Sequence, residues 1–384
     1  MKKDSKNRVI PFFRGQSAAN TMKIADTFEF RRGGKLNDIS IAYETWGELD
    51  SSKSNVVVIF TGLSASSHVT SSSFDPAAGW WESMVGPGKS IDSDKHFIVC
   101  INTLGSCFGS TSPVSVNANT EQPYRLSFPE LTVEDMAKAS YILLEKLGIS
   151  NIKILVGPSL GGMQALAFSI MFNKSVENTI LISTATQATP YAIAIRSLQR
   201  EVIRKDPDWN NGFYSYERPP LNGVRIARKL GVTSYRSSAE WQQRFGRKKS
   251  SSEKLTQNTF GVDNTSFEYE IESYLEHHAV KFQNVFDANC YLYLSRAMDW
   301  FDVSDHGKST QDALAKTSIE KALIIGVTSD TLFPSYQQKE IAECLLQAGT
   351  KVDYQELDCI QGHDSFLVDI ESFGKKIRNF IQSL

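Results

Sequence analysis

The chain is 384 residues long, 41% of them apolar, with a formal net charge of −2. That length allows one large domain or a core carrying an insertion, and the apolar fraction is enough for a sizeable core. The near-even charge balance gives no reason to expect nucleic acid or an acidic polymer as partner, and no apolar run reaches the ~20 residues needed to cross a bilayer.

Residues 1–15 are polar and basic with a short apolar patch. They lack the apolar stretch of a secretory signal and make only a weak case for an organelle address. Five cysteines (Cys100, Cys107, Cys290, Cys344 and Cys359) are odd in number and scattered. None stands at CxxC spacing and no His/Cys cluster suggests zinc, so no metal site is expected; reduced thiols in a cytoplasmic setting are.

Residues 39–45 alternate and predict an early strand. Residues 55–60 (NVVVIF) and 96–102 (HFIVCIN) are continuous β-branched runs, the pattern of fully buried strands. Residues 103–130 are rich in Gly, Ser, Pro and Asn without a period and read as a long loop. Residues 132–147 carry apolar positions at helical spacing and stop at Gly148. A strand at 152–156, then Gly157 and a helix through about Phe172, and a strand at 179–183 follow. Strands alternating with helices predict a parallel, doubly wound sheet. From about 186 to 311 long helical patterns replace that rhythm, with 247–257 as a polar surface loop. Strands at 322–327 and 352–357 restore it. The economical reading is an α/β core with a mostly parallel central sheet over 1–185 and 313–384, interrupted by a helical cap over 186–312.

Gly157-Pro-Ser159-Leu-Gly161 matches G-x-S-x-G. Alone this is modest, since ordinary Gly and Ser frequencies give roughly 0.1 chance matches in such a chain. Its context is specific: strand IKILV leads directly in and a helix, GGMQALAFSIMF, leads out. That strand–turn–helix lifts a serine above the sheet and sets it at a helix N-terminus. The competing role for Ser159 is a plain helix N-cap.

A serine nucleophile here is followed in chain order by an acid and then a histidine. His277 and His278 lie in a charged helical pattern and His306 in a polar turn. His363, in Gln361-Gly-His-Asp364 directly after a strand, is the expected base. Asp330, in the turn after ALIIGV, is the expected acid, with Asp353 and Asp358 as alternatives. Two backbone donors are needed for an oxyanion. Leu160, after the nucleophile, supplies one; Leu63, in the turn that ends NVVVIF, supplies the other. These residues support acyl transfer through a serine ester, to water or to another acceptor.

The segments AYETWGELD, TGLSASSH, GPSLGGMQAL and GHDSFLVD, with others between, make the chain similar to the homoserine O-acyltransferase family of α/β-hydrolase-fold enzymes over most of its length, from about Phe28 onward. IAIRSLQREVIRKDP and CYLYLSRAMDWFD are most similar to the branch that succinylates serine. Homoserine acetyltransferases of the family usually read Gly-Gly-Ser-Met-Gly-Gly at the elbow, whereas Pro158 and Leu160 stand here.

The resemblance implies ping-pong transfer from succinyl-CoA or acetyl-CoA to L-serine or L-homoserine. CoA is then a substrate, with no resident cofactor. It implies a homodimer joined through the cap. It further implies that Arg200 and Asp364 hold the amino acid's carboxylate and ammonium, a fit that guanidinium and carboxylate chemistry makes direct. Arg196 lies four residues before Arg200 on the same helical face, where a second cation would suit a succinyl donor's terminal carboxylate. Thr61, Gly62, Leu63 and Ser64 are the expected acceptor-length determinants. Trp80, Trp81, Trp300 and Phe301 read as packing.

Overall fold

The computed structural model describes residues 18–215, 217–250 and 267–384; residues 1–15 and the 251–257 part of the polar loop, both considered above, lie outside the described residues. Eight strands form one sheet: β1 (Asn20–Glu29), β2 (Lys35–Trp46), β3 (Val56–Phe60), β4 (Phe97–Ile101), β5 (Ile152–Pro158), β6 (Val176–Ile182), β7 (Lys321–Val327) and β8 (Lys351–Leu357). Their order is β1-β2-β4-β3-β5-β6-β7-β8. From β4 onward every pairing is parallel, while β1 pairs antiparallel with β2 and β2 antiparallel with β4.

The parallel strands are continuous apolar runs because both faces of the sheet are covered. Successive residues of β3 divide between two cores: Val56, Val58 and Phe60 pack on one face, Val57 and Ile59 on the other. The antiparallel edge makes the sheet mostly parallel, as expected, and β1 is absent from the sequence reading. Its register slips between Lys23 and Ala25. That irregularity breaks the period-2 signal of an edge strand that buries only Ile24 and Phe28.

Helix α1 (Val133–Lys146) begins with a capping box between Thr132 and Asp135, and α2 (Leu160–Met171) follows β5. Between β6 and β7 the chain leaves the sheet to build α3 (Pro190–Lys205), α4 (Leu221–Tyr235), α5 (Ser238–Arg244), α6 (Glu270–Gln283), α7 (Ala288–Trp300) and the short α8 (Thr310–Leu314), which straddles residue 312. Helix α4 packs against both α3 and α6, and α3 against α7. Helices α9 (Ser335–Gln347), α10 (Ser365–Val368) and α11 (Ile370–Gln382) complete the core. The long 103–130 loop contains a two-residue ribbon, Val116–Asn117 with Gln122–Pro123, and one 3-10 turn at Arg125–Ser127. Among the described residues no helix is long and apolar enough to cross a membrane.

This topology sets the C-terminal ends of β3, β5, β7 and β8 along one rim of the sheet, with helices α3, α4 and α7 of the inserted segment facing that rim.

Candidate active site

Ser159 occupies the turn between β5 and α2 with φ 54° and ψ −123°, a conformation that costs a non-glycine residue backbone strain. The surroundings enforce it. A Cβ on Gly157 would run into the Gly161 carbonyl, and one on Gly161 into the Phe60 carbonyl, so only glycines let the elbow pass between β3 and α2. The Ser159 N–H donates to the Ile182 carbonyl at 2.9 Å, and the Ser159 carbonyl accepts from the Thr184 hydroxyl at 2.8 Å. Although Ser159 precedes α2, its side chain makes no capping bond. Instead Oγ lies 2.9 Å from His363 Nε2, so the side chain does not act as an N-cap.

His363 Nδ1 lies 2.8 Å from Asp330 Oδ2. The other oxygen of Asp330, Oδ1, accepts from the backbone N–H groups of Leu332 (2.9 Å) and Phe333 (2.8 Å). That fixes the carboxylate in the turn after β7. The imidazole is held by a ring stack on Phe333, with centroids 4.9 Å apart, and by the edge of Phe366. All three residues are buried. Burial alone would lower the His363 pKa, but the charge and hydrogen bond of Asp330 outweigh it and hold the group above the ordinary histidine value. Asp353 lies within β8, and Asp358 Oδ1 accepts from Thr328 Oγ1 at 3.0 Å; neither is the partner of His363. His306 bridges Glu134 at 3.2 Å, and His278 packs on Tyr274, both away from this site.

A cavity of about 210 Å³ opens on Ser159 and His363. Its floor includes Gly62, Leu63, Ser64 and Ala65, and Pro158 and Asp364 also line it. Thr61 does not: it is fully buried, with its hydroxyl 3.1 Å from that of Thr103. Leu160 is the first residue of α2, where a backbone N–H has no intrahelical acceptor. Trp80, taken from the sequence as a packing residue, forms part of the cavity wall, while Trp81 stays in the core with its indole N–H donating to the Phe366 carbonyl at 2.9 Å. Asp364 is paired with Arg236 at 3.2 Å.

The cap side supplies the cations. Arg196 lines the cavity and is 4% exposed. Its Nε donates to Asp299 Oδ1 at 2.6 Å, whereas Nη1 and Nη2 have no hydrogen-bond partner among the described residues. Arg200, one turn further along α3, is not part of the lining. Its Nη2 meets Asp299 Oδ2 at 2.6 Å and its Nη1 donates to the Ser295 hydroxyl at 2.8 Å. Arg228, which the sequence reading did not single out, does line the cavity. It lies over the rings of Phe282 (4.6 Å) and Tyr235 (5.6 Å), and its Nε has no hydrogen-bond partner among the described residues. No motif marks it in sequence; only the packing of α4 brings it in. Tyr235 and Tyr291 join the same wall, and burial pushes both phenols up, so they remain neutral donors. Among the described residues no group of His, Cys, Asp and Glu is placed to hold a metal ion.

Residues 55–361 match the α/β hydrolase fold family. The serine O-succinyltransferase of Stenotrophomonas maltophilia (strain K279a) is 49% identical over 358 residues, covering 93% of this chain and 95% of its own. That of Xanthomonas campestris pv. campestris (strain B100) is 49% identical over 362 residues, covering 91% and 94%. This chain belongs to the serine O-succinyltransferase family of α/β-hydrolase-fold acyltransferases. Among solved structures, the homoserine O-acetyltransferase from Bacillus anthracis superposes with a TM-score of 0.83 at 26% identity, covering 94% of this chain and 96% of its own. The esterase E22 superposes with a TM-score of 0.83 at 29% identity, covering 94% and 98%. The same scaffold is therefore shared with a transferase and an esterase.

Proposed function

We propose that this protein moves a succinyl group from succinyl-CoA to the hydroxyl of L-serine through a succinyl ester on Ser159. His363 Nε2 takes the proton from Ser159 Oγ as the oxygen attacks the thioester carbonyl. The N–H groups of Leu63 and Leu160 receive the oxyanion. Collapse of the tetrahedral intermediate breaks the C–S bond, and the His363 proton goes to the departing CoA sulfur. In the second half-reaction His363 deprotonates the serine hydroxyl, which attacks the Ser159 ester. The new O-succinyl ester leaves, and the proton on His363 returns to Ser159 Oγ. Asp330 holds the imidazole tautomer and stabilises the imidazolium throughout.

The observation that carries this reading is the pair of guanidinium groups that face the triad's cavity with open nitrogens. Arg196 takes the terminal carboxylate of the succinyl group. Arg228 takes the α-carboxylate of the amino acid and Asp364 its ammonium. Arg200, the residue the family resemblance implied for the carboxylate, acts behind the wall. Leu63 and Ser64, with Gly62, limit the length of the acceptor; Thr61 supports that turn from within. One methylene separates serine from homoserine, worth about 1–3 kcal/mol of discrimination.

We further infer a cytoplasmic enzyme, in keeping with five free cysteines, and a homodimer formed through the cap. Exposed apolar side chains on α3, Tyr191 and Leu198, support the latter.

A matrix of serine and homoserine against succinyl-CoA and acetyl-CoA tests the reading by kcat/KM. The expected best pair is serine with succinyl-CoA. Homoserine preferred with either donor overturns the acceptor assignment. Similarity to esterase E22 favours hydrolysis as the second reading; CoA release equally fast with and without acceptor would select it.

A further inference from the structure

The charged cluster behind the cavity wall contains two cations and one anion. Arg196 and Arg200 lie one turn apart on α3, and Asp299, on α7, faces both. Each carboxylate oxygen serves one arginine: Oδ1 meets Arg196 Nε at 2.6 Å and Oδ2 meets Arg200 Nη2 at 2.6 Å. All three side chains are at least nine-tenths buried. Arg200 is held from behind by the Ser295 hydroxyl (2.8 Å) and carbonyl (3.3 Å).

Stability does not explain such a cluster. Desolvation offsets most of the attraction in a buried ion pair, and here one positive charge is left over. The unpartnered donors are divided unevenly between the two arginines. Arg200 contacts both Asp299 and Ser295 and keeps Nε without a hydrogen-bond partner, whereas Arg196, which lines the cavity, is tied through Nε and keeps both Nη1 and Nη2 without one among the described residues. A guanidinium held by Nε presents its end-on fork, two parallel N–H groups at the spacing of a carboxylate's oxygens. A free arginine side chain must give up rotamer freedom to present that fork; one anchored at Nε does not.

We infer that Asp299 is a specificity-positioning residue: it anchors Arg196 through Nε and so aims its open fork at the distal carboxylate of the acyl donor, with Arg200 holding Asp299 in place. This rests on the assignment of Arg196 to the succinyl carboxylate made above. Asp299 itself touches no substrate. The device works on donor recognition and leaves the triad alone, so its loss acts on KM for succinyl-CoA more than on kcat.

The test uses the full chain as wild type, as Asp299→Asn, and as the double variant Arg200→Met/Asp299→Asn. The double variant removes one charge of each sign, so it spares the fold a second uncompensated buried cation and keeps the test decidable if the single variant does not fold. Acylation is followed by CoA release and by the mass of the acyl-enzyme, with succinyl-CoA and with acetyl-CoA. The expected result is a loss of about 10- to 100-fold in kcat/KM for succinyl-CoA, carried mainly by KM. With acetyl-CoA the loss stays below about threefold, because that donor has no carboxylate to orient. A folded variant that keeps the wild-type succinyl preference overturns the positioning role, as does an equal loss with both donors. A wild type that shows no preference for succinyl-CoA overturns the Arg196 assignment instead, a result visible before any variant is made.

Discussion

The two halves of the cavity differ in how completely their polar groups are satisfied. On the sheet rim each group of the triad already has its partner: Ser159 Oγ on His363, His363 Nδ1 on Asp330, and Asp330 Oδ1 on two backbone N–H groups. On the cap wall Arg196 keeps two open nitrogens and Arg228 one. Buried polar groups are normally paired, so the first arrangement is complete by itself while the second fits the ligand-binding role proposed above. In the function proposed above, the rim supplies the acyl-transfer chemistry. In the same proposal, the wall supplies the choice of what is transferred.

The largest effect separating the halves is expected at the nucleophile. Ser159→Ala should lower kcat by at least about 10⁴-fold with every donor and acceptor and remove the acyl-enzyme from the mass spectrum. Retention of an acylated protein would place the ester on another residue and undo the division. On the wall, Arg228→Gln should act on one half-reaction. It should cost about 100-fold in kcat/KM for serine, since it removes the cationic partner of a carboxylate in a shielded site. The first-turnover release of CoA should change less than about threefold. Equal losses in both half-reactions would make Arg228 a packing residue.

The contrast also explains what the sequence could disclose. The elbow is legible because chain order, a strand ahead and a helix behind are local properties, and the glycines answer to steric demands a few residues away. Asp330 and His363 are legible because each follows a strand. The wall has no such grammar. Arg196 and Arg200 share a helical face, and spacing alone does not say which of them reaches the cavity; only the folded structure places Arg196 in its lining. Arg228, on α4, and Trp80 meet in one cavity lining only in the folded chain, across many residues of sequence. Strand β1 is hidden by its own bulge.

A smaller, graded effect comes from pH. With its pKa above the ordinary histidine value, near 6.5, His363 is protonated and unable to act as base over more of the acid range. The acid limb of kcat/KM should therefore fall about tenfold per pH unit below a midpoint above that value, with both donors alike. Because the Asp330 charge overcomes the lowering by burial, Asp330→Asn should move the midpoint downward. A midpoint that differs between succinyl-CoA and acetyl-CoA would mean that the wall, and not the rim, carries the titrating group.

The smallest effect is on stability and lies behind both halves. His68 and Glu44 are buried together, with His68 Nδ1 3.0 Å from Glu44 Oε2 and Nε2 2.8 Å from the Ala77 carbonyl. Both ring nitrogens face acceptors, so the imidazolium fits where the neutral ring would set one lone pair against an oxygen. Burial alone would lower this pKa; the Ala77 carbonyl and the Glu44 carboxylate outweigh it, and the native value is raised. A raised histidine stabilises the fold fully below its unfolded value, near 6.5, and the contribution is lost as pH rises through the higher native value. The pair tethers the segment that returns to the cavity wall, where the Trp80 N–H donates to the His68 carbonyl and the Trp80 indole to the Ser66 carbonyl. Wild type should therefore lose about 2 °C of Tm across that window beyond what His68→Gln loses, while the variant starts from a lower Tm in acid. Parallel Tm-versus-pH curves for the two proteins would show that His68 is neutral in the native state. Because the triad is not touched, acyl-enzyme formation by the folded variant should stay within about twofold of wild type below its melting range, which keeps this tether distinct from the chemistry of the rim.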